Sequence, residues 1–257
     1  MKPQTPPPFL RPDIDAQDRH EIEQMLGPLS DERLLRAVRD GRGREFQRLE
    51  FLGDSVLDVV LAVHRWVEPE CPACRANSHH DEASDRYLGE AAQRAGVGDW
   101  LEWHASAERV ADLVETCVAA CWLSDRWQQV VPFVTAVVHP LRESTTRALS
   151  SGLAGEPGRA ARRVGSAVLE LAAGHAVFGA LPEADEGVLS TARADLHQAS
   201  AVARRASAPD AVAGVRFQPG DDDMMLSQVE DLVASVLGSS GADAALTVAE
   251  PFVSTPH

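Results

Sequence analysis

The run Arg48-Leu49-Glu50-Phe51-Leu52-Gly53-Asp54-Ser55-Val56-Leu57 constrains this chain more than any other stretch. It is apolar almost throughout, yet Glu50 and Asp54 stand one helical turn apart, and residues at i and i+4 share a helix face. Ionised carboxylates are costly to bury unpaired, so two on one side of a core-facing helix call for a cation. A second apolar segment, Val110 to Leu123, repeats the anomaly: Asp112 and Glu115 are three apart and again share a face. Four carboxylates from two helices suit a hard, oxygen-seeking ion such as Mg²⁺ or Mn²⁺. The plainer alternative is that each pair caps a helix or answers an arginine such as Arg48 or Arg109. Two such pairs, both set in apolar helices, weigh against it.

The segment RLEFLGDSVL at 48–57 resembles the signature helix of the ribonuclease III family. The Asp-x-x-Glu at 112–115, leading into an Ala-rich stretch that ends at Trp122-Leu123, resembles that family's second acidic helix. The 58 positions from Asp54 to Asp112 are similar to the family's spacing. The resemblance implies an all-α fold, dimerisation through the signature helix, and divalent-metal hydrolysis of double-stranded or structured RNA. It implies Glu50, Asp54, Asp112 and Glu115 as the catalytic, metal-binding acids, with Glu115 the most sensitive. Two features depart from the family pattern. Phe46-Gln47 stand where an Asn-Glu pair is common, and the first half lacks the Asp/Glu-Glu-Gly segment between the motifs.

After a stretch rich in small and turn-forming residues, 142–159, the sequence begins again. Arg162 to Leu171 aligns without a gap on Glu50 to Val59, and Ser227 to Leu237 resembles the second acidic helix. Between them Asp185-Glu186-Gly187 resembles the family's Asp-Glu-Gly segment, and Arg193 follows it. Pro251-Phe252-Val253 echoes Pro132-Phe133-Val134. The interval from Ser166 to Ser227 is 61 positions, close to the 58 of the first half. In this copy Arg162 replaces Glu50, Ser166 replaces Asp54 and Ser227 replaces Asp112, so only Glu230 matches, at Glu115. One carboxylate cannot assemble a metal pair. The apolar positions Val164, Val168, Leu169 and Leu171 are retained, as packing would require. The expected organisation is a flexible arm at 1–15 and a ribonuclease III-like domain with an intact acidic site at 16–141. A linker at 142–159 and a degenerate domain at 160–257 follow, the two domains forming an intramolecular pseudo-dimer.

Charge sits awkwardly with RNA. The formal net charge is −15, whereas nucleic-acid binders carry a basic footprint. Arg33, Arg36, Arg39, Arg42, Arg44 and Arg48 form a local basic patch, or else a solvated helix surface paired with neighbouring acids. Arg162 and Arg163 either contact RNA phosphate or make surface salt bridges. The acidic tail lacks the lysine-rich helix start of a double-stranded-RNA-binding module, which leaves room for an RNA-binding protein partner. Cys71-Pro72-Ala73-Cys74 with His79 and His80 has ligand types suited to Zn²⁺; the alternative is a loop with a free thiol pair. Cys117 and Cys121 read as small core residues, the other histidines show no pairing pattern, and Asp221-Asp222-Asp223 reads as a solvated loop or helix start.

No apolar run approaches the length of a membrane span, and four cysteines make no disulfide scaffold. A cytoplasmic protein is expected, a monomeric pseudo-dimer or a homodimer, acting in RNA processing with one active centre per chain. The competing expectation is a non-catalytic RNA- or ribosome-associated scaffold of the same fold.

Overall fold

Apolar residues on nearly every face of positions 44–67 leave this segment one stable place, inside the protein, because a helix that is hydrophobic all round has no side to give to water. The computed structural model describes residue 26 and residues 31–69, 85–95, 97, 106–139, 141–152, 159–207 and 215–253. The helices are α1 (Glu32–Asp40), α2 (Arg44–Val67), α3 (Asp85–Arg94), α4 (Ala107–Val137), α5 (Glu143–Ser151), α6 (Arg159–Ala180), α7 (Glu186–His197), α8 (Ala199–Ala206), α9 (Asp222–Ser240) and α10 (Ala242–Val253). No strand occurs among the described residues, and the fold is all-α. None of the described helices is long and apolar enough to cross a membrane.

Side-chain oxygens start several helices by accepting from amides that have no partner in the first turn. Asp31 accepts from the Arg33 amide at 2.7 Å, and Ser106 from that of Arg109 at 3.3 Å. Asp221 accepts from the Met224 amide at 2.8 Å. Asp222 and Asp223 fill the first turn of α9, where the helix dipole favours negative charge. The acidic triplet is thus a helix start, one of the two expected readings.

Helix α2 packs against α4 and α6 and is also touched by α1, α5 and α7. Helix α6 occupies a matching position, against α2, α7, α9 and α10. The two helices run antiparallel. Arg48, early in α2, reaches Phe178 at the end of α6. Gly174 lies against Phe51 and Ser55. Asp58, Ala62 and Arg65, late in α2, line a cavity with Arg162 and Ser166 near the start of α6.

Arg48 changes role from the sequence reading. Its side chain is buried, only 3% exposed, and it donates to the carbonyls of Phe178 (2.7 Å), Ala184 (3.2 Å) and Leu181. Its guanidinium also lies 4.5 Å from the centre of the Phe178 ring. The last carbonyls of a helix lack intrahelical partners, so Arg48 caps α6 and is withdrawn from the basic patch. Burial lowers its pKa from the ordinary arginine value, and Glu45 opposes that shift.

The stretch expected as a loose connection opens with helix α5, which buries Thr145, Ala148 and Leu149. Its small residues read as a turn in sequence but permit close backbone approach. A Cβ on Gly241 would meet the Ser150 carbonyl at 2.9 Å. Residues 153–158 lie outside the described set.

Two further features were not legible beforehand. His64, buried on α2, meets Thr145 Oγ1 at 2.9 Å and the buried His139 ring nitrogen at 3.1 Å, so these histidines do pair. Trp122, fully buried, stacks edge-on against His175 of α6 at 5.1 Å, and Trp127 donates to Asp243 of α10 at 3.2 Å. Cys117 and Cys121 are buried core residues as expected, and burial pushes the Cys121 thiol up to about 12.

Candidate active site and its altered counterpart

Backbone contact between α2 and α4 sets the geometry of the candidate site. A Cβ built on Gly53 would lie 1.8 Å from the Glu115 carbonyl oxygen, well inside van der Waals contact. Glycine alone allows this approach, and it places the acids of the two helices around one crossing. Glu50 and Asp54 flank Gly53 on α2, while Asp112 and Glu115 flank the contact on α4. A second tie runs beside it: the Thr116 hydroxyl donates to the Asp112 carbonyl at 2.8 Å and approaches that of Phe46 at 3.4 Å.

The four acids differ in exposure and in partners. Glu115 is buried, 8% exposed, while Glu50, Asp54 and Asp112 are half-buried. Asp112 pairs with Arg109 at 3.1 Å. Arg109 also donates to the Gly41 carbonyl and lies 4.7 Å from the centre of the Phe46 ring, tying the end of α1 to both acidic helices. Asp54 faces Arg193 of α7 at 3.4 Å. The same guanidinium donates to Ser55 Oγ at 2.7 Å, approaches Glu170 at 3.5 Å and lies 4.8 Å from the centre of the Phe51 ring.

Arg193 thus brings the second half of the chain into the first half's site. Sequence reasoning placed it after the Asp-Glu-Gly-like segment without giving it a role. Nothing in the sequence alone pairs it with Asp54, which stands 139 positions away.

The donor set fits a hard divalent cation in kind: four carboxylates, supplied by two helices in backbone contact. The side chains do not close on a single point. Among the described residues, no three His, Cys, Asp or Glu side chains come together closely enough to hold one ion. Two arginines answer Asp54 and Asp112 in this arrangement. Cys71, Cys74, His79 and His80, the residues considered for zinc, lie outside the described residues.

The second half repeats the crossing. A Cβ on Gly165 would lie 2.1 Å from the Glu230 carbonyl oxygen, the same contact that Gly53 makes with Glu115. The gapless match of 162–171 to 50–59 therefore puts corresponding residues at corresponding places. Around this crossing the chemistry differs. Arg162 bonds Asp231 at 3.0 Å, and Ser166 hydrogen-bonds Glu230. Burial raises the Glu230 carboxyl above its ordinary range, and the Ser166 hydrogen bond works against that rise. Beyond the crossing the halves diverge. Helix α4 runs unbroken through Pro132, whereas the equivalent run stops at Gly241, with φ of 87°, and resumes as α10. Counted from the matched glutamates, Pro251 lies four residues later than Pro132, about one helical turn.

Neither a family model nor any curated protein matches this chain.

Proposed function

We propose that the chain is a divalent-metal-dependent endoribonuclease of ribonuclease III type, acting on double-stranded or structured RNA with one active centre. The observation that carries this reading is the helix crossing at Gly53 and Glu115, which brings the two acidic helices of the resembling motifs into backbone contact. Glu50, Asp54, Asp112 and Glu115 would hold Mg²⁺, or Mn²⁺ in its place. Such an ion, when bound, supplies activation of water for attack on the scissile phosphodiester and charge neutralisation at the leaving oxygen. By the chemistry of the resembling family, the products carry a 5′-phosphate and a 3′-hydroxyl.

The protein's own groups do the positioning. Arg109 holds Asp112 against the end of α1, and Arg193 holds Asp54 from the second half. Both arginines stand beside acids that would ligate metal, so loading requires those carboxylates to turn from guanidinium to cation. Glu115, the most buried of the four, keeps its carboxylate in the least hydrated position, where an electrostatic interaction is strongest.

The second half acts as a silent partner, the two halves forming an intramolecular pseudo-dimer. The antiparallel packing of α2 on α6 and the paired crossings at Gly53 and Gly165 support this. One intact centre per chain cuts one strand per encounter, in a cytoplasmic monomer.

A second reading has its own support. A non-catalytic RNA- or ribosome-associated scaffold is favoured by the arginines that answer Asp54 and Asp112 and by the net charge of −15. Incubation of end-labelled duplex RNA with Mg²⁺, and separately with Mn²⁺, decides between them. Cleavage by the wild type and none by Glu115→Gln supports the enzyme; no cleavage of any structured RNA by either protein supports the scaffold. Native mass measurement at low concentration should give one chain per particle, and two would point to a homodimer.

A further inference from the structure

The altered crossing borders a cavity of about 460 Å³. Its walls come from both halves: Asp58 and Arg65 from α2, Arg162, Arg163 and Ser166 from α6, and Glu230 from α9. The lining carries three arginines and three acids, Asp58, Glu170 and Glu230, so its charges balance and the arginines that remain open to solvent decide what it can hold. Arg162 stands where the acidic centre has Glu50, so a cation-seeking position has been replaced by a cation.

Two of these acids have partners within the protein. Glu170, also in its wall, is approached by Arg193 at 3.5 Å, and Glu230 is hydrogen-bonded to Ser166. Arg162 is held by Asp231 at 3.0 Å, which fixes its guanidinium at the rim while leaving it more than half exposed. Arg163 is exposed and makes no ion pair among the described residues. A guanidinium presents planar paired donors that match phosphate oxygens. The exposed guanidiniums of Arg162 and Arg163 are therefore the groups of this lining that suit an anion.

We propose that this cavity binds a backbone phosphate of the RNA, with Arg163 and Arg162 as the contacting groups. The inference rests on the nuclease reading for the identity of the ligand. Position along α2 favours a polymer over a free phosphate. Glu50 of the acidic centre and Ala62 of the cavity wall are twelve residues apart on one helix, about 18 Å along its axis. A ligand that engages both must be an extended polyanion. The silent half thereby holds the duplex while the acidic half acts on it.

The test uses the full chain and a short fluorescein-labelled duplex RNA in EDTA, with anisotropy followed across a KCl series. Binding without metal is read separately from cleavage. The Arg162→Ala/Arg163→Ala double variant is expected to bind about tenfold or more weakly. Its slope of log K against log salt should become shallower by about one to two, roughly 0.9 for each phosphate that the variant leaves without a cation. Arg163→Lys should keep most of the slope, and Arg204→Ala, an exposed arginine on α8, should leave it unchanged. Far-UV melting curves that overlay the wild type show that the fold is intact, since Arg162 and Arg163 are both exposed.

Unchanged affinity and slope in the double variant overturn the proposal, as does failure of the wild type to bind duplex RNA. Inorganic phosphate is the second probe. If it displaces the RNA at concentrations far below those of the added KCl, the cavity belongs to a small phosphate ligand and the RNA assignment falls. Weakened binding in the variant, beside a wild type that cuts nothing with Mg²⁺ or Mn²⁺, removes the nuclease reading and leaves the cavity. Cleavage by the wild type, with binding unchanged in the variant, removes the cavity and leaves the nuclease.

Discussion

Two helix crossings in this molecule share a backbone arrangement and differ in chemistry. At the first, Gly53 rests on the Glu115 carbonyl amid Glu50, Asp54 and Asp112; at the second, Gly165 rests on the Glu230 carbonyl amid Arg162, Ser166 and Ser227. What is common to both is what packing demands: a residue without a side chain at the contact, and fully buried apolar residues such as Val56 and Val168 on the same helices. What differs is the set of side chains left half in water, which packing does not dictate. Close-packed interiors tolerate little change in volume, whereas partly exposed polar positions exchange at small cost to stability. Two crossings can therefore share one backbone contact and carry different side chains around it.

The largest expected effect tests whether the two crossings are equivalent. Gly53→Ala and Gly165→Ala each drive a methyl group into a backbone carbonyl that cannot move aside, an overpacking cost of about 3 kcal/mol or more. Urea denaturation should show both variants destabilised to a similar degree. A tolerated Gly165→Ala beside a collapsed Gly53→Ala would break the equivalence.

Next comes the chemical contrast. Glu115→Gln should lower Mg²⁺-dependent cleavage of duplex RNA by about 100-fold or more, near 2.7 kcal/mol at 1.36 kcal/mol per tenfold, while Glu230→Gln should stay within about twofold of the wild type. Single-turnover rates on a labelled duplex measure both. Equal losses would mean that the second crossing takes part in the reaction after all.

An asymmetry between the halves predicts a smaller effect. Arg48 caps α6 from the first half, whereas its counterpart at position 160 is alanine. Arg48→Met removes hydrogen bonds from a buried charged donor and leaves helix carbonyls without it, a loss of roughly 2 kcal/mol. A thermal melt should shift down with its transition still single. Two separated transitions would show that this residue couples otherwise independent halves.

The smallest effect concerns pH. Burial raises the folded-state pKa of Glu230 above the usual glutamate range. A group raised in this way contributes stability in full below its unfolded pKa and loses it as pH rises through the folded value. Glu230→Gln removes that loss, so the variant should gain on the wild type as pH rises from the ordinary carboxylate range through the raised folded-state value. Denaturation midpoints across that range give the comparison, and a gap that narrows with rising pH would contradict the sign.

Much of the fold was legible because periodicity reports burial. The apolar runs around Glu50, Asp112, Ser166 and Ser227 all lie in helices, and Val164, Val168, Leu169 and Leu171 are buried as their spacing required. The acidic triplet at 221–223 starts a helix, since aspartate at that position satisfies free amides. Less legible was α5, whose serines and threonines, followed by Gly152, look like a connection until a neighbour's glycine lets the backbones meet. Arg48 was misread as surface because an arginine's burial depends on carbonyls that the chain brings to it 130 residues later. Arg193 and the His64–His139 pair were missed for the same reason.

The sequence by itself determined the helical class and pointed to a second segment of similar spacing in which three of the four acids have no match, because both are written in local order and residue type. Tertiary structure alone decided that glycines place both sets of residues at backbone crossings, that arginines answer two of the four acids, and that the altered copy borders a cavity walled with arginine. The physical reason is distance along the chain. Periodicity states which face of a helix avoids water, but which guanidinium meets which carboxylate depends on how those faces pack.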